Sequence, residues 1–434
     1  MKKYKLGELI EVTRGASLNG NYYAASGKYI RLTCGNFDYR NNCFKENTSK
    51  DNLYYTGEFR AEFLLDKGDL ITPLTEQAIG LLGSAAWIPE CEKYIQSQDI
   101  AKITCKEELL DKKFAYYLIS SNMVKQQLGA AAQQTKIRHT SPDKIKDCTV
   151  WLPSLAEQKQ IGQLLFDIDR KIEINRAINH NLEAIAKQLY DYWFVQFDFP
   201  DENGKPYKSS GGTMVYNENL KRNIPEGWND GIFADIANIT MGQSPDGSSY
   251  NETGEGEIFY QGSTDFGIRF PSVRMYTTSP TRYAKQGDIL MSVRAPVGAV
   301  NIANSDCCIG RGLSAINSMI GSITYIYYVV HYLKVRFDNL NAAGTTFGSI
   351  TKDELFNLPV VVPSNDMIER FEVICKPIFN KQMEIGFEIE SLDKQRNELL
   401  PLLMNGQASL NYDLIFLCSL KFSLLWYVNK IIIR

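Results

Sequence analysis

The chain has 434 residues, 44% hydrophobic and 22% charged, with 47 Lys and Arg against 50 Asp and Glu. That composition is globular, and the length is too great for one ordinary core, so two or three domains are expected. A net charge of −3 argues against a protein that coats nucleic acid by bulk charge, while leaving room for a local binding surface. Nine cysteines, with no Cys-x-x-Cys, suit reduced thiols in a cytoplasm better than a disulfide framework. The opening MKKYKLGELIEV has no apolar run of the kind a signal peptide needs.

Residues 1–151 form a first block of short strand signals punctuated by Gly, Asn, Ser and Asp, including YIRLTC (29–34) and DLITPL (69–74). A helical stretch, KKFAYYLISSNMVKQQL (112–128), lies near its end. Residues 152–200 change to helical spacing. There Ile161, Leu165, Ile168, Ile172, Asn175, Asn179, Leu182, Ala186, Leu189 and Trp193 step alternately by four and three. Ser154 followed by Glu157 predicts a capping box at the start of this helix. Residues 201–227 are polar and rich in Gly, Ser and Pro, as a connector with a small hairpin would be.

The pattern then repeats. FADIANITMGQS (233–244) echoes LGELIEVTRGAS (6–17), with Gly242 in the place of Gly15. QGDILMSVRAPVGAVNI (286–302) echoes KGDLITPLTEQAIGLLG (67–83), and NAAGTTFGSITKDEL (341–355) echoes AAQQTKIRHTSPDKI (131–145). The second block, 228–361, ends at VPSNDMIERF, which matches LPSLAEQKQI, and a second heptad series fills 362–410. It runs through Phe371, Cys375, Ile378, Gln382, Ile385, Ile389, Leu392, Arg396, Leu399 and Leu403. Two heptad helices in one chain pair most simply with each other, as an antiparallel coiled coil roughly 60 Å long. Asn175 and Asn179 either fix the register of that seam or mark where it opens. The fold class expected is α+β: two pseudo-symmetric α+β domains separated by two long antiparallel coiled-coil helices.

No catalytic constellation is found. The three histidines, His139, His180 and His331, lie far apart, with no second His or Cys at metal-ligand spacing. Phosphate-cradling Gly-rich loops and the hydrolase elbow are absent from the sequence, as is an Asn/Asp-Pro-Pro-Tyr box. Ser244-Pro245-Asp246 with Glu255 and Glu257 reads as a loop rather than a nuclease cluster. A recognition or scaffold protein is expected, with no catalytic residue and no metal site.

The ordered set LPSLAEQKQI, NLEAIAKQLYDYWF (181–194), ENGKPYKSSGGTMVYNENLKRNIPEGW (202–228), GDILMSVRAPVGAV (287–300), IGRGLSA (309–315), GTTFGSI (344–350) and NELLPLLMNGQ (397–407) resembles the DNA specificity subunit of type I restriction–modification systems. The resemblance spans about residues 4–410. It implies that each block is a target recognition domain reading one half of a split, asymmetric site in double-stranded DNA. It also implies that the helix pair docks two methyltransferase subunits, and that restriction/translocase subunits can join in defence against foreign DNA. S-adenosylmethionine, ATP and Mg²⁺ would then belong to those partners, with no cofactor bound by this chain, no membrane and a cytoplasmic location. The alternatives are the specificity half of a self-contained restriction–methylation enzyme, or a coiled-coil scaffold that binds no nucleic acid.

Base readout needs forked donors and amides near groove edges. The candidates are Arg31, Thr75, Gln77, Gln134, Lys136 and Arg138 in the first block, and Gln261, Arg294, Arg311, Thr345 and Thr346 in the second. Arg31 aligns with Tyr260, a difference expected of two heads reading unlike sequences. The apolar tail, residues 411–434, departs from the family pattern and has no assigned role.

Overall fold

A computed structural model describes residues 1–39, 41–76, 80–131, 138–342, 348–410 and 431–433. The apolar tail lies outside the described residues except for 431–433, which pair with Ala408–Leu410. The chain divides into two compact units. One holds Met1–Ile172 with the stretch from Ser391 onward; the other holds Glu173–Glu390.

In the first unit a four-stranded sheet runs Ile10–Arg14, Ile100–Cys105, Leu70–Pro73, Ala86–Trp87, antiparallel throughout. A five-stranded sheet runs Tyr23–Ala24, Tyr54–Tyr55, Tyr29–Arg31, Tyr94–Ile95, Leu64–Leu65, and its Tyr29–Arg31 and Tyr94–Ile95 strands are parallel. Lys2–Lys5 pairs with Thr149–Leu152 and closes the block just before the first long helix.

The second unit repeats this order strand for strand. Its four-stranded sheet is Ala237–Met241, Leu313–Ser318, Ile289–Ser292, Val300–Ile302. Its five-stranded sheet is Tyr250–Asn251, Tyr276–Thr277, Glu257–Tyr260, Cys307–Ile309, Tyr283–Ala284, again with one parallel pair, Glu257–Tyr260 with Cys307–Ile309. Asn229–Ile232 pairs with Pro359–Val362. Leu70–Pro73 and Ile289–Ser292 are buried at every residue, so neither shows the in-out alternation of a strand with one wet face.

The repeated glycine has a steric cause. Gly15 donates its N–H to Ile100 O at 3.2 Å, and a Cβ there would lie 2.2 Å from the Gln96 carbonyl oxygen. Gly242 donates to Leu313 O at 2.9 Å, and its Cβ would lie 2.2 Å from Gly310 O. In both units backbone presses on backbone, so neither side can relax by a rotamer change.

The first long helix is Leu155–Tyr190, continued by a wider turn at Asp191–Val195; the second is Asn365–Met404. Ser154 and Glu157 form the capping box, with Ser154 N–H donating to Glu157 Oε2 at 3.1 Å and Glu157 N–H to Ser154 Oγ at 3.3 Å. Within the first unit Ile161, Leu165, Ile168 and Ile172 of the first helix and Leu392, Leu399 and Leu403 of the second are buried. Arg396 Nη1 reaches Asp169 Oδ1 at 2.9 Å, and Tyr117 OH donates to Asp169 Oδ2 at 2.6 Å, tying the 112–119 helix to the seam.

Within the second unit Phe371, Cys375, Ile385 and Ile389 are buried, whereas Leu182, Leu189 and Ile378 are half-buried and Phe379 takes the deeper position. Asn175 and Asn179, 2% and 6% exposed, do not open the seam to solvent. Asn175 Nδ2 donates to Glu388 Oε2 at 2.8 Å and Asn179 Nδ2 to Gln382 O at 3.3 Å, a register-fixing pattern between antiparallel helices. The polar connector carries its hairpin, Met214–Asn217 with Arg222–Pro225. Around it Phe199 stacks on Trp228 at 5.0 Å and on Tyr207 at 4.7 Å.

Gly15→Ala is expected to destabilise the first unit by about 1–3 kcal/mol, measured as a shift in the urea midpoint. His331 is held below its ordinary value, chiefly by burial. A depressed histidine gives stability that is present above its unfolded value of about 6.5 and is lost as pH falls through the folded value. The melting temperature of the second unit should therefore drop on acidification, and His331→Phe should flatten that drop.

Candidate nucleic-acid interface

In the second unit three strand ends meet at one rim. The parallel strands Glu257–Tyr260 and Cys307–Ile309 finish side by side, and Gly310 N–H donates to Tyr260 O at 2.8 Å. Ile289–Ser292 ends beside Leu313, and Val293 N–H donates to Gly312 O at 2.9 Å. The residues that follow are Gln261, Arg311 and Arg294, and all three are exposed. Gly312 lets the chain pass tightly, since a Cβ there would sit 2.5 Å from Gln261 O. Arg311 is braced through its backbone, whose N–H donates to Ser244 Oγ at 3.3 Å. Arg294 is bridged to Ser349, with Ile350 N–H donating to Val293 O at 2.9 Å. Among the described residues neither the Arg294 nor the Arg311 guanidinium has a protein partner, so both forks are available to a ligand.

The matching rim of the first unit is filled differently. The register Tyr94↔Ile30, Ile95↔Arg31 corresponds to Phe259↔Cys308, Tyr260↔Ile309, so Arg31 stands where Tyr260 stands. Like that tyrosine it is turned inward: it is 8% exposed, 3.9 Å above the Tyr23 ring, and it donates to Asn52 O. Arg31 therefore braces the block, where the sequence reading placed it among the forked donors.

Thr75 occupies the position of Arg294. Leu74 N–H donates to Asp99 O as Val293 N–H does to Gly312 O, and Thr75 pairs with His139 as Arg294 bridges to Ser349. Thr75 is 8% exposed; its Oγ1 donates to Asp99 Oδ1 at 3.2 Å and lies 3.3 Å from His139 Nδ1. His139 is exposed at this rim. Asp99 and His139 were missed in the sequence because neither is a forked donor and they lie 40 residues apart, joined only by the fold. Arg138 lies on a strand paired with Glu76. Gln77, Gln134, Lys136, Thr345 and Thr346 lie outside the described residues.

The model of the type I restriction–modification DNA specificity domain matches residues 1–184 and again 225–399, one copy for each repeat. The chain belongs to this family. Among family members, the "Putative type I restriction enzyme MjaX specificity subunit" of Methanocaldococcus jannaschii is 34% identical over 67% of this chain and 68% of its own length. The HindI specificity subunit of Haemophilus influenzae is 22% identical over 73% of this chain and 82% of its own. A crystal structure of a type I S subunit from M. genitalium shares the specificity-subunit fold, with a TM-score of 0.58 at 16% identity over 93% of this chain and 96% of that one. Among the described residues no helix is long and apolar enough to cross a membrane, and no three His, Cys, Asp or Glu side chains converge as metal ligands would.

Proposed function

We propose that each unit reads one half of a split, asymmetric site in double-stranded DNA, using the rim at its strand ends. One observation carries this reading: two heads with the same strand order present unlike chemistry at equivalent positions, Thr75 with Asp99 and His139 in one, Arg294 with Ser349 in the other. Arg294 and Arg311 are forks suited to guanine O6 and N7, whereas a hydroxyl backed by a carboxylate and an imidazole suits a different edge. In this reading the paired long helices dock two methyltransferase subunits, and restriction/translocase subunits join them. S-adenosylmethionine, ATP and Mg²⁺ belong to those partners, and the low net charge is tolerable because they supply much of the phosphate grip. Membership of the specificity family supports the assembly.

Arg294→Ala should lower discrimination at one half-site by about 1–3 kcal/mol and leave assembly intact. Competition binding with duplexes altered in one half at a time measures this. Equal weakening on specific and random DNA would instead assign Arg294 to the phosphate backbone.

A further inference from the structure

The segment Gln261–Ser272 of the second unit begins on the rim, and its turn lies in the helix pair. At the rim Gln261 N–H donates to Asp265 Oδ2 at 2.9 Å, and Ser272 N–H donates to Asp265 O at 2.7 Å, so the segment is folded back on itself. Asn301 clamps its middle, accepting from Gly267 N–H at 3.0 Å and donating to Gly267 O at 3.1 Å. Beyond that clamp come Arg269 and Phe270, 7% and 5% exposed.

Arg269 Nη1 lies 3.2 Å from Glu183 Oε2 on the first long helix and donates to Tyr327 OH at 3.0 Å. Its guanidinium sits over the rings of Tyr327 and of Phe379, the latter on the second long helix. Gln382 Nε2 holds the same Glu183 oxygen at 2.8 Å, so one carboxylate joins both long helices and the segment. Phe270 lies 4.6 Å from the Phe387 ring, and its own ring fills the space where a Cβ on Gly386 would stand, at 2.6 Å. A residue one methyl larger at 386 could not coexist with the ring in this place.

We propose that Arg269 and Phe270 are positioning residues that seat the rim loop of the second unit on the long helices, so that its discrimination between DNA sequences depends on a contact made with the helix pair. The inference rests on the reading of the rim as the DNA-facing surface. Neither residue reads a base. Each fixes where Gln261 stands, through a folded segment too short and too tightly clamped to absorb a shift. A readout fork displaced by a fraction of an ångström loses the bidentate geometry that distinguishes bases, while backbone contacts tolerate it.

Two substitutions test this in the full-length chain, with the recognised sequence first taken from the methylation pattern of genomic DNA. Arg269→Met keeps the packing over Tyr327 and Phe379 and removes the fork. Gly386→Ala acts from the helix itself, where alanine is the better helix former, and displaces the Phe270 ring, whose atoms are the nearest to the added Cβ. Each variant, assembled with its methyltransferase partner, is titrated with duplexes changed in one half-site at a time, and the melting of the chain is followed in parallel. The expected result is a loss of about tenfold in discrimination at the second unit's half-site, in the usual range of coupling between sites. Discrimination at the other half-site should stay within about twofold, and melting should remain cooperative. If Arg269→Met does not fold, Gly386→Ala decides alone. Unchanged discrimination in a folded variant overturns the inference, as does equal loss at both half-sites. A wild-type chain that, assembled with its methyltransferase partner, prefers no sequence at any salt removes the DNA reading itself, and the inference with it.

Discussion

A helix whose apolar residues form a seam can hide them only against a matching seam. This constraint governs both units. Each contains one stretch of either long helix, and each completes its core with side chains from both. The blocks of short strands do not stand alone: Tyr117 of the first reaches Asp169 on the seam, and Tyr327 of the second contacts Arg269 and lies beside Phe379. Both tyrosines lie on the helix by which each block meets the seam, Lys112–Ile119 in the first unit and Ile323–Ala342 in the second, yet their partners differ. The duplicated frame prescribes that a block leans on the helices and leaves open which polar groups make the contact.

The same separation between frame and filling runs through the strands. Gly15 and Gly242 are required by backbone approach and cannot vary without strain. Thr75 and Arg294, next to those frames, face no such demand. A duplicated domain can therefore diverge at the rim while the strand order of its two main sheets is kept. That is the property wanted in two heads which must recognise different ligands with one architecture.

The sequence carried the frame because the frame is periodic. The four-three spacing from Ile161 onward and its echo from Phe371 locate both long helices, and Ser154 with Glu157 locates an onset to the residue. The rim was less legible. Arg31 was read as a donor from its chemistry, but its direction depends on strand alternation and on the Tyr23 ring, which lies on another strand. Thr75 gained its meaning from Asp99 and His139, which only the sheet brings together. The aromatic stack of Phe199, Tyr207 and Trp228 follows no period, so a polar stretch read as a linker concealed residues that hold it in place. Arg269 escaped notice for the same reason: nothing in GIRFPS signals that its arginine is buried.

The buried Arg269 and its half-buried partner Glu183 also show why stability is the wrong explanation for such a pair. Removing two charges from water is expensive, and well-packed apolar residues of similar volume commonly serve as well or better. What an apolar replacement lacks is direction. A methionine can lie on Tyr327 and Phe379 in several rotamers, and the backbone that bears it can slide. A guanidinium whose Nη1 meets both Glu183 and the Tyr327 hydroxyl, with Gln382 fixing the same carboxylate, is held to far fewer arrangements. The asparagines nearby act alike: Asn175 finds Glu388 and Asn179 finds the Gln382 carbonyl only in one register of the helices. The polar layer of the second unit thus selects a single alignment from the many that a purely apolar seam would accept.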